Sequence, residues 1–106
     1  MCPISNVVIA NVIDDVADHP FARQREAGVL VTVNSDDPGM MGTTICDDYE
    51  AVTDRFGYDA DTIEDVALDA ITASWAPADE QTALRKRFVA EMAELRKQHD
   101  VPPRVL

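Results

Sequence analysis

The chain has 106 residues, of which 46% are apolar, and 20 acidic against 9 basic side chains give it a formal net charge of −11. This composition is typical of one small globular domain rather than of a disordered chain. Because no segment gathers a basic patch, nucleic acid and anionic membrane surfaces are not expected as partners. Two cysteines in unlike contexts, with no basic N-terminal segment before a long apolar run, predict a reducing, cytoplasmic location.

The first predicted elements are short. Residues 1–6, "MCPISN", have an early proline and end in Ser-Asn, which is typical of the carboxyl end of a strand that turns into a loop. The apolar run "VVIANV", residues 7–12, is either a strand or a loop that lies on a core. Pro20 as a first helical residue and Gly28 as a left-handed stop predict a short helix over residues 20–27.

A buried strand is predicted next. Val29 to Val33 form a continuous apolar run rich in β-branched residues, which is typical of a strand buried on both faces of a parallel sheet. A helix, a glycine and then such a strand make an α/β unit. Because this strand needs neighbours at its edges and the chain supplies few, we expect the chain to be part of a larger structure, completed by partners or by a longer protein.

The rest of the chain is predicted to be helical. Thr43 or Thr44 can cap a first helix that ends at Gly57, a second covers about Asp61 to Trp75, and a third covers Pro77 to about Gln98. Apolar residues at helical spacing are expected to face inward: Ile45, Tyr49, Val52 and Phe56 in the first helix, Ile63, Val66, Ala67, Ala70 and Ile71 in the second, and Leu84, Phe88, Met92 and Leu95 in the third.

Two adjacent carboxylates, Asp36 and Asp37, follow the predicted strand in "NSDDPG". They repel each other and resist desolvation, so water, helix amides or a cation must compensate. One interpretation is a turn and helix N-cap before Pro38. The other is a metal or reaction site, because reacting groups lie at the carboxyl ends of strands in α/β barrels and a divalent ion would relieve the repulsion. The residues alone leave both open.

The motifs "TVNSDDP" and "MMGTTICDDYEAV", with "CPISN" upstream and "HPFARQREAGV" between, closely resemble the carboxyl-terminal part of the adenosine deaminase family of metal-dependent hydrolases. The resemblance covers roughly residues 2–56 by motif, and the later helices fit the family's closing segment in kind. It implies an α/β fold in which residues 1–106 are the carboxyl-terminal fragment of a (β/α)8 TIM-type barrel. The chain would hold the end of the seventh strand, the eighth strand and the closing helices, and would be mostly helical as given.

The resemblance also implies roles for four residues. Asp36 would be a zinc ligand that also holds the attacking water, and Asp37 would hydrogen-bond the imidazole-ring nitrogen of a purine. Asn34 and Ser35 would fix the two acids in place. The implied reaction is the hydrolysis of a small-molecule substrate, adenosine, to inosine and ammonia with the help of one zinc ion.

The family's other zinc ligands and its glutamate general acid belong before Met1, so the resemblance implies that the rest of the barrel is required and that this chain alone is inactive. His19 is expected to be a capping or surface group and His99 an exposed one, and neither replaces those ligands. Two alternatives stay open. The substrate could be adenine or another aminopurine, or the chain could be a non-catalytic helical module in which Asp36 and Asp37 form an ordinary cap.

Several other residues are expected to be structural. Cys2 and Cys46 are predicted to be small buried hydrophobes. The acidic pairs Asp14-Asp15 and Asp47-Asp48 are predicted to lie on solvated faces or to act as helix N-terminal charges. Residues 101–106, "VPPRVL", are expected to form a frayed tail.

Overall fold

The structure is a computed structural model that describes residues 1–8 and 14–104. Within these ranges the chain is mostly helical, as predicted, and contains no β-strand. None of the described helices is long and apolar enough to cross a membrane. The helices are α1 (Pro3–Val8), a 3₁₀ helix (Val16–Asp18), α2 (Phe21–Glu26), α3 (Pro38–Met41), α4 (Ile45–Phe56), α5 (Ala60–Ala73) and α6 (Ala78–Gln98).

The chain begins with a helix where the sequence predicted the end of a strand. Pro3 opens α1, because its fixed φ suits the first helical position. The backbone N–H of Asn6 then donates to the carbonyl of Cys2 over 2.8 Å. The strand prediction for residues 1–6 is therefore wrong. In the run 7–12, the first two residues continue α1 and the others lie outside the described ranges.

The segment predicted as a doubly buried strand, Val29 to Val33, is irregular. Val29 is 52% exposed and Leu30 is 48% exposed, whereas Val33 is buried in the core. A parallel strand is stable only when other strands and helices cover its edges and faces. Among the described residues no strand lies beside this segment. The prediction of a strand buried on both faces is therefore wrong.

The same segment nevertheless pairs with the start of the chain. The N-terminal ammonium of Met1 donates to the carbonyl of Thr32 over 2.9 Å, and the backbone N–H of Asn34 donates to the carbonyl of Met1 over 2.7 Å. These are the two slanted bonds of a parallel pair in which Met1 lies opposite Val33. This pairing sets the register between the start of α1 and residues 34–37.

α4 has both of the ends that the sequence predicts. The hydroxyl of Thr44 accepts a bond from the backbone N–H of Asp47, and the Asp47 carboxylate accepts one from the backbone N–H of Thr44, 2.7 Å away. This reciprocal pair is a capping box. Gly57 ends the helix with φ +67°, in the left-handed region that glycine occupies without steric cost. Gly28, after α2, is likewise left-handed.

α5 ends two residues before the predicted boundary. It covers Ala60–Ala73, and the Asp59 side chain caps its first turn. Val66 and Ile71 are buried, as their helical spacing predicts. Trp75, which the prediction placed at the end of the helix, is fully exposed.

The hydrophobic core joins α2, α4 and α5. The rings of Phe56 and Tyr58 pack on Phe21 with centroid distances of 6.0 and 6.4 Å. Cys2 is half-buried and Cys46 is exposed, so the expectation of a buried cysteine is wrong for Cys46. The buried residues of the core cluster are Phe21, Val33, Val52 and Val66. Because Val33 is one of them, the core fixes the segment that leads to Asp36.

An arginine occupies the buried position near the end of α6. Arg96 is 8% exposed, whereas Leu95, which was predicted to face inward, is 51% exposed. The guanidinium of Arg96 donates to both carboxylate oxygens of Glu64, over 2.7 and 2.9 Å, and to Asp61 over 2.5 Å. These charge-assisted bonds raise the pKa of Arg96 and fasten α6 to α5.

The described part of the C-terminal tail is held in place. Arg96 Nη1 donates to the carbonyl of Pro102 over 2.8 Å, and Arg104 Nη2 donates to Asp65 over 2.6 Å. The expectation of a frayed tail is therefore wrong for residues 101–104. The last two residues of the predicted tail lie outside the described ranges.

Candidate functional site

The candidate site lies where residues 34–37 meet α1. Asp36 has φ +62°, a left-handed backbone conformation that aspartate and asparagine tolerate better than most residues. Its Oδ2 accepts a hydrogen bond from Ser5 Oγ over 2.7 Å. Ser5 is buried at 2% exposure, whereas Asp36 is exposed. A buried hydroxyl therefore orients a carboxylate that solvent can still reach.

This bond joins the two motifs on which the family resemblance depends. Ser5 is the serine of "CPISN" and Asp36 is the first aspartate of "NSDDP", 31 residues further along the chain. Ser5 has no role of its own among the predicted site residues. The two motifs taken together could have indicated a role for Ser5, because residues at the carboxyl ends of neighbouring parallel strands meet at one edge of a sheet.

The structure does not gather the other three predicted residues around the Asp36 carboxylate. Asp37 is exposed at the N-cap position of α3, but its side chain makes no capping bond. Asn34 Nδ2 donates to Thr32 Oγ1 over 2.9 Å. Ser35 is half-buried. Across the described residues neither Asn34 nor Ser35 has a side-chain hydrogen bond to Asp36 or Asp37, so the roles assigned to them stay predictions.

A histidine orders the α1 side of the site. Asn6 Oδ1 accepts a bond from the backbone N–H of Cys2 over 3.3 Å and lies 3.1 Å from His19 Nε2. His19 Nδ1 accepts from the backbone N–H of Phe21, so the imidazole proton is on Nε2 and is donated to Asn6. Burial, helped by the positive N-terminus of Met1, lowers the pKa of His19. His19 therefore caps the start of α2, as the sequence predicts.

The two acidic pairs behave differently from each other. The carboxylate of Asp15 accepts from the backbone N–H of Ala17 and caps the 3₁₀ helix, and Asp47 belongs to the capping box of α4, so both are helix N-terminal charges as predicted. Asp48 is also in the first turn of α4, but it is buried at 1% exposure. Its Oδ1 accepts from the backbone N–H of Ile4 over 3.2 Å. Burial raises the pKa of this carboxyl.

The donor atoms at this site suit zinc as one part of a coordination shell. The oxygens of a carboxylate are ordinary zinc ligands, and the Ser5 bond gives the Asp36 carboxylate a defined orientation. Within residues 1–8 and 14–104, however, no three His, Cys, Asp or Glu side chains are grouped so that they could hold a metal ion. A zinc site needs about three or four protein ligands. The described residues could therefore supply part of such a site, through Asp36, but not the whole of it.

Comparisons with known proteins bear on the family. The adenosine deaminase family matches residues 1–91 of the chain. The adenine deaminase of Streptomyces coelicolor is 38% identical over 96 residues, which are 91% of this chain and 27% of that protein. The adenine deaminase of Rhizobium leguminosarum bv. trifolii is 37% identical over 88 residues, 83% of this chain and 27% of that protein. That of Candida albicans is 34% identical over 101 residues, 95% of this chain and 27% of that protein.

No solved structure matches the chain. The chain spans 27% of the length of each of these three relatives. The family match includes both motifs that meet in the bond between Ser5 and Asp36, and it continues through α4 and α5 into α6. From this match and these relatives, the chain belongs to the adenosine deaminase family.

Proposed function

We propose that residues 1–106 are the carboxyl-terminal part of a zinc-dependent aminopurine deaminase, in which Asp36 is a zinc ligand. The observation that carries the proposal is the 2.7 Å bond from Ser5 to Asp36, because it joins the two family motifs at one accessible carboxylate. A metal ligand held by a buried hydrogen-bond partner is the usual arrangement in metalloenzymes. The family membership supports the same conclusion.

Adenine is the substrate that the comparisons favour. The family resemblance implies adenosine, and the motif "DDPGMMGTT" favours nucleoside enzymes without deciding the substrate, but the relatives from Streptomyces, Rhizobium and Candida are all named adenine deaminase. We therefore infer a reaction in which water adds to the purine carbon that bears the amino group and ammonia leaves. With adenine as the substrate, the other product is hypoxanthine.

Each residue of the site has a distinct task in this proposal. Asp36 binds the metal, and Ser5 fixes the direction of its carboxylate. Asp37, exposed beside Asp36, hydrogen-bonds a ring nitrogen of the purine. Asn34 and Ser35 hold the backbone between the core and the two acids, and the bond from Asn34 N–H to Met1 supports this. Zinc, when bound, supplies the Lewis acidity that makes water nucleophilic near neutral pH.

The remaining zinc ligands and the general acid are proposed to come from the other strands of a (β/α)8 barrel. The parallel pair between Met1 and Val33 supports this arrangement, because it has the hydrogen-bond pattern of neighbouring parallel strands. The exposed Val29 and Leu30 offer an apolar surface to the missing neighbours. The partners proposed are thus the rest of the barrel and a small-molecule substrate, and neither nucleic acid nor membrane.

The test uses the longer protein of which, on this proposal, residues 1–106 are a part, here called the complete enzyme. Adenine and adenosine are supplied separately at equal concentration, and ammonia release and the ultraviolet spectrum are followed. We expect kcat/KM for adenine to exceed that for adenosine by at least about tenfold, since a site built for one substrate leaves polar groups unpaired with the other. Preference for adenosine would overturn the substrate proposal, and release of ammonia from neither would overturn the deaminase proposal.

A further inference from the structure

Asp48 is a buried carboxylate that the proposed mechanism does not use. Its Oδ1 accepts the bond from the backbone N–H of Ile4, and its Oδ2 is buried without a partner among the described residues. A buried and incompletely paired carboxylate opposes folding. An ordinary helix N-terminal charge lies in solvent and has no such cost, so the burial of Asp48 calls for another explanation.

The Ile4 amide that Asp48 holds is next to the residue that orients Asp36. Ile4 is in the first turn of α1, where backbone N–H groups have no partner within the helix. The following residue is Ser5, whose hydroxyl donates to Asp36. α1 has six residues, too few for a helix that is stable by itself, so its position depends on contacts with other elements such as α4.

We propose that Asp48 is a positioning residue for the zinc ligand: it holds Ile4, and so places the Ser5 hydroxyl where it orients the Asp36 carboxylate. The inference rests on the proposed function, because it concerns the same zinc ion. The competing explanation is that Asp48 only packs α4 against α1 and that zinc affinity does not depend on it.

The first measurement is the zinc dissociation constant of the complete enzyme, obtained by competition with a chromophoric chelator. Asp48→Ala removes the acceptor, and we expect zinc affinity to fall about tenfold or more, as for other residues that orient a ligand. Asp48→Asn keeps an oxygen that accepts from Ile4, and we expect affinity within about threefold of the parent. The matched control is Asp54→Ala, an exposed acid on the same helix, which should leave affinity unchanged.

A double-mutant cycle with Ser5→Ala separates positioning from packing. If Asp48 acts through the Ser5 hydroxyl, adding Asp48→Ala to Ser5→Ala should change zinc affinity by less than about twofold, because the orienting bond is already lost. If the fold-losses of zinc affinity in the two single variants multiply in the double variant, the proposal is overturned. Parent-like affinity in Asp48→Ala, or equal losses in Asp48→Ala and Asp48→Asn, would overturn it as well.

Thermal unfolding and hydrogen exchange at the Ile4 amide show whether each variant is folded and whether the contact is broken. If Asp48→Ala does not fold, Asp48→Gln, which moves the oxygen but stays polar, should show the same loss of zinc affinity, and a parent-like value would contradict the proposal. A parent enzyme that binds no zinc would contradict the proposed function itself. A parent that binds zinc, with Asp48 variants that bind it equally well, would contradict only the positioning role.

Discussion

Backbone conformation and one hydrogen bond together define the carboxylate at the centre of the site. Asp36 lies in the left-handed region, where a non-glycine residue carries a steric cost of about 1–2 kcal/mol. Such a conformation persists only when surrounding contacts determine it, and it is common at ligand sites. The buried hydroxyl of Ser5 supplies such a contact.

His19 gives the stability of the chain a dependence on pH. Burial lowers its pKa in the folded chain below the ordinary 6.5, so the unfolded chain binds the proton more readily. This contribution to stability is fully present above pH 6.5 and is lost as the pH falls below that value toward the folded pKa. Between about pH 7 and about pH 5, we expect the free energy of unfolding in urea to fall more for the parent than for His19→Gln.

The control for this prediction is His99→Gln, which replaces an exposed histidine and should keep the pH dependence of the parent. An equal fall in the parent and in His19→Gln would show that His19 does not contribute.

At the scale of the elements, helices with local start and stop signals form as the sequence predicts. The capping box at Thr44 is one such signal, and it satisfies two backbone N–H donors, those of Thr44 and Asp47, at once. We expect Thr44→Ala to lower the free energy of urea unfolding of the chain by about 1 kcal/mol. Thr82→Ala, at an exposed position within α6, should change it by less than about 0.5 kcal/mol. Equal effects at the two positions would show that the cap contributes nothing specific.

Contacts between distant segments were not predictable in the same way. The apolar spacing of α6 placed Leu95 inside, but Arg96 takes the buried position because Asp61 and Glu64, more than 30 residues away, pair with it. The apolar run at residues 29–33 suggested a strand, yet a strand forms only where neighbours complete its hydrogen bonds.

The candidate site was predictable only in part for the same reason. Asp36 and Asp37 stand out in the sequence because adjacent acids after an apolar run need a compensating partner. Ser5 does not stand out, and Asp48 does so only as half of an acidic pair, because their contacts here are bonds to residues 31 and 44 positions away. Local periodicity and capping rules carry no information on such pairs.

At the scale of the whole molecule, residues 1–8 and 14–104 offer the proposed zinc site one carboxylate, that of Asp36, and no group of three possible metal ligands. We expect residues 1–106, expressed alone, neither to bind zinc tightly nor to release ammonia from adenine or adenosine, because about two or three further ligands and a general acid are needed. Zinc titration and the ultraviolet assay measure both properties, with the complete enzyme as the positive control. Conversion of either substrate by the isolated chain, abolished by Asp36→Ala, would overturn the account of a partial site.

The most direct test of the central claim is the zinc content of the purified complete enzyme and two variants. The parent should hold about one zinc ion per chain, Asp36→Ala should lose both the metal and turnover, and Asp37→Asn should keep the metal while losing rate and substrate discrimination. Stoichiometric zinc in Asp36→Ala would contradict the assignment of Asp36 as a zinc ligand.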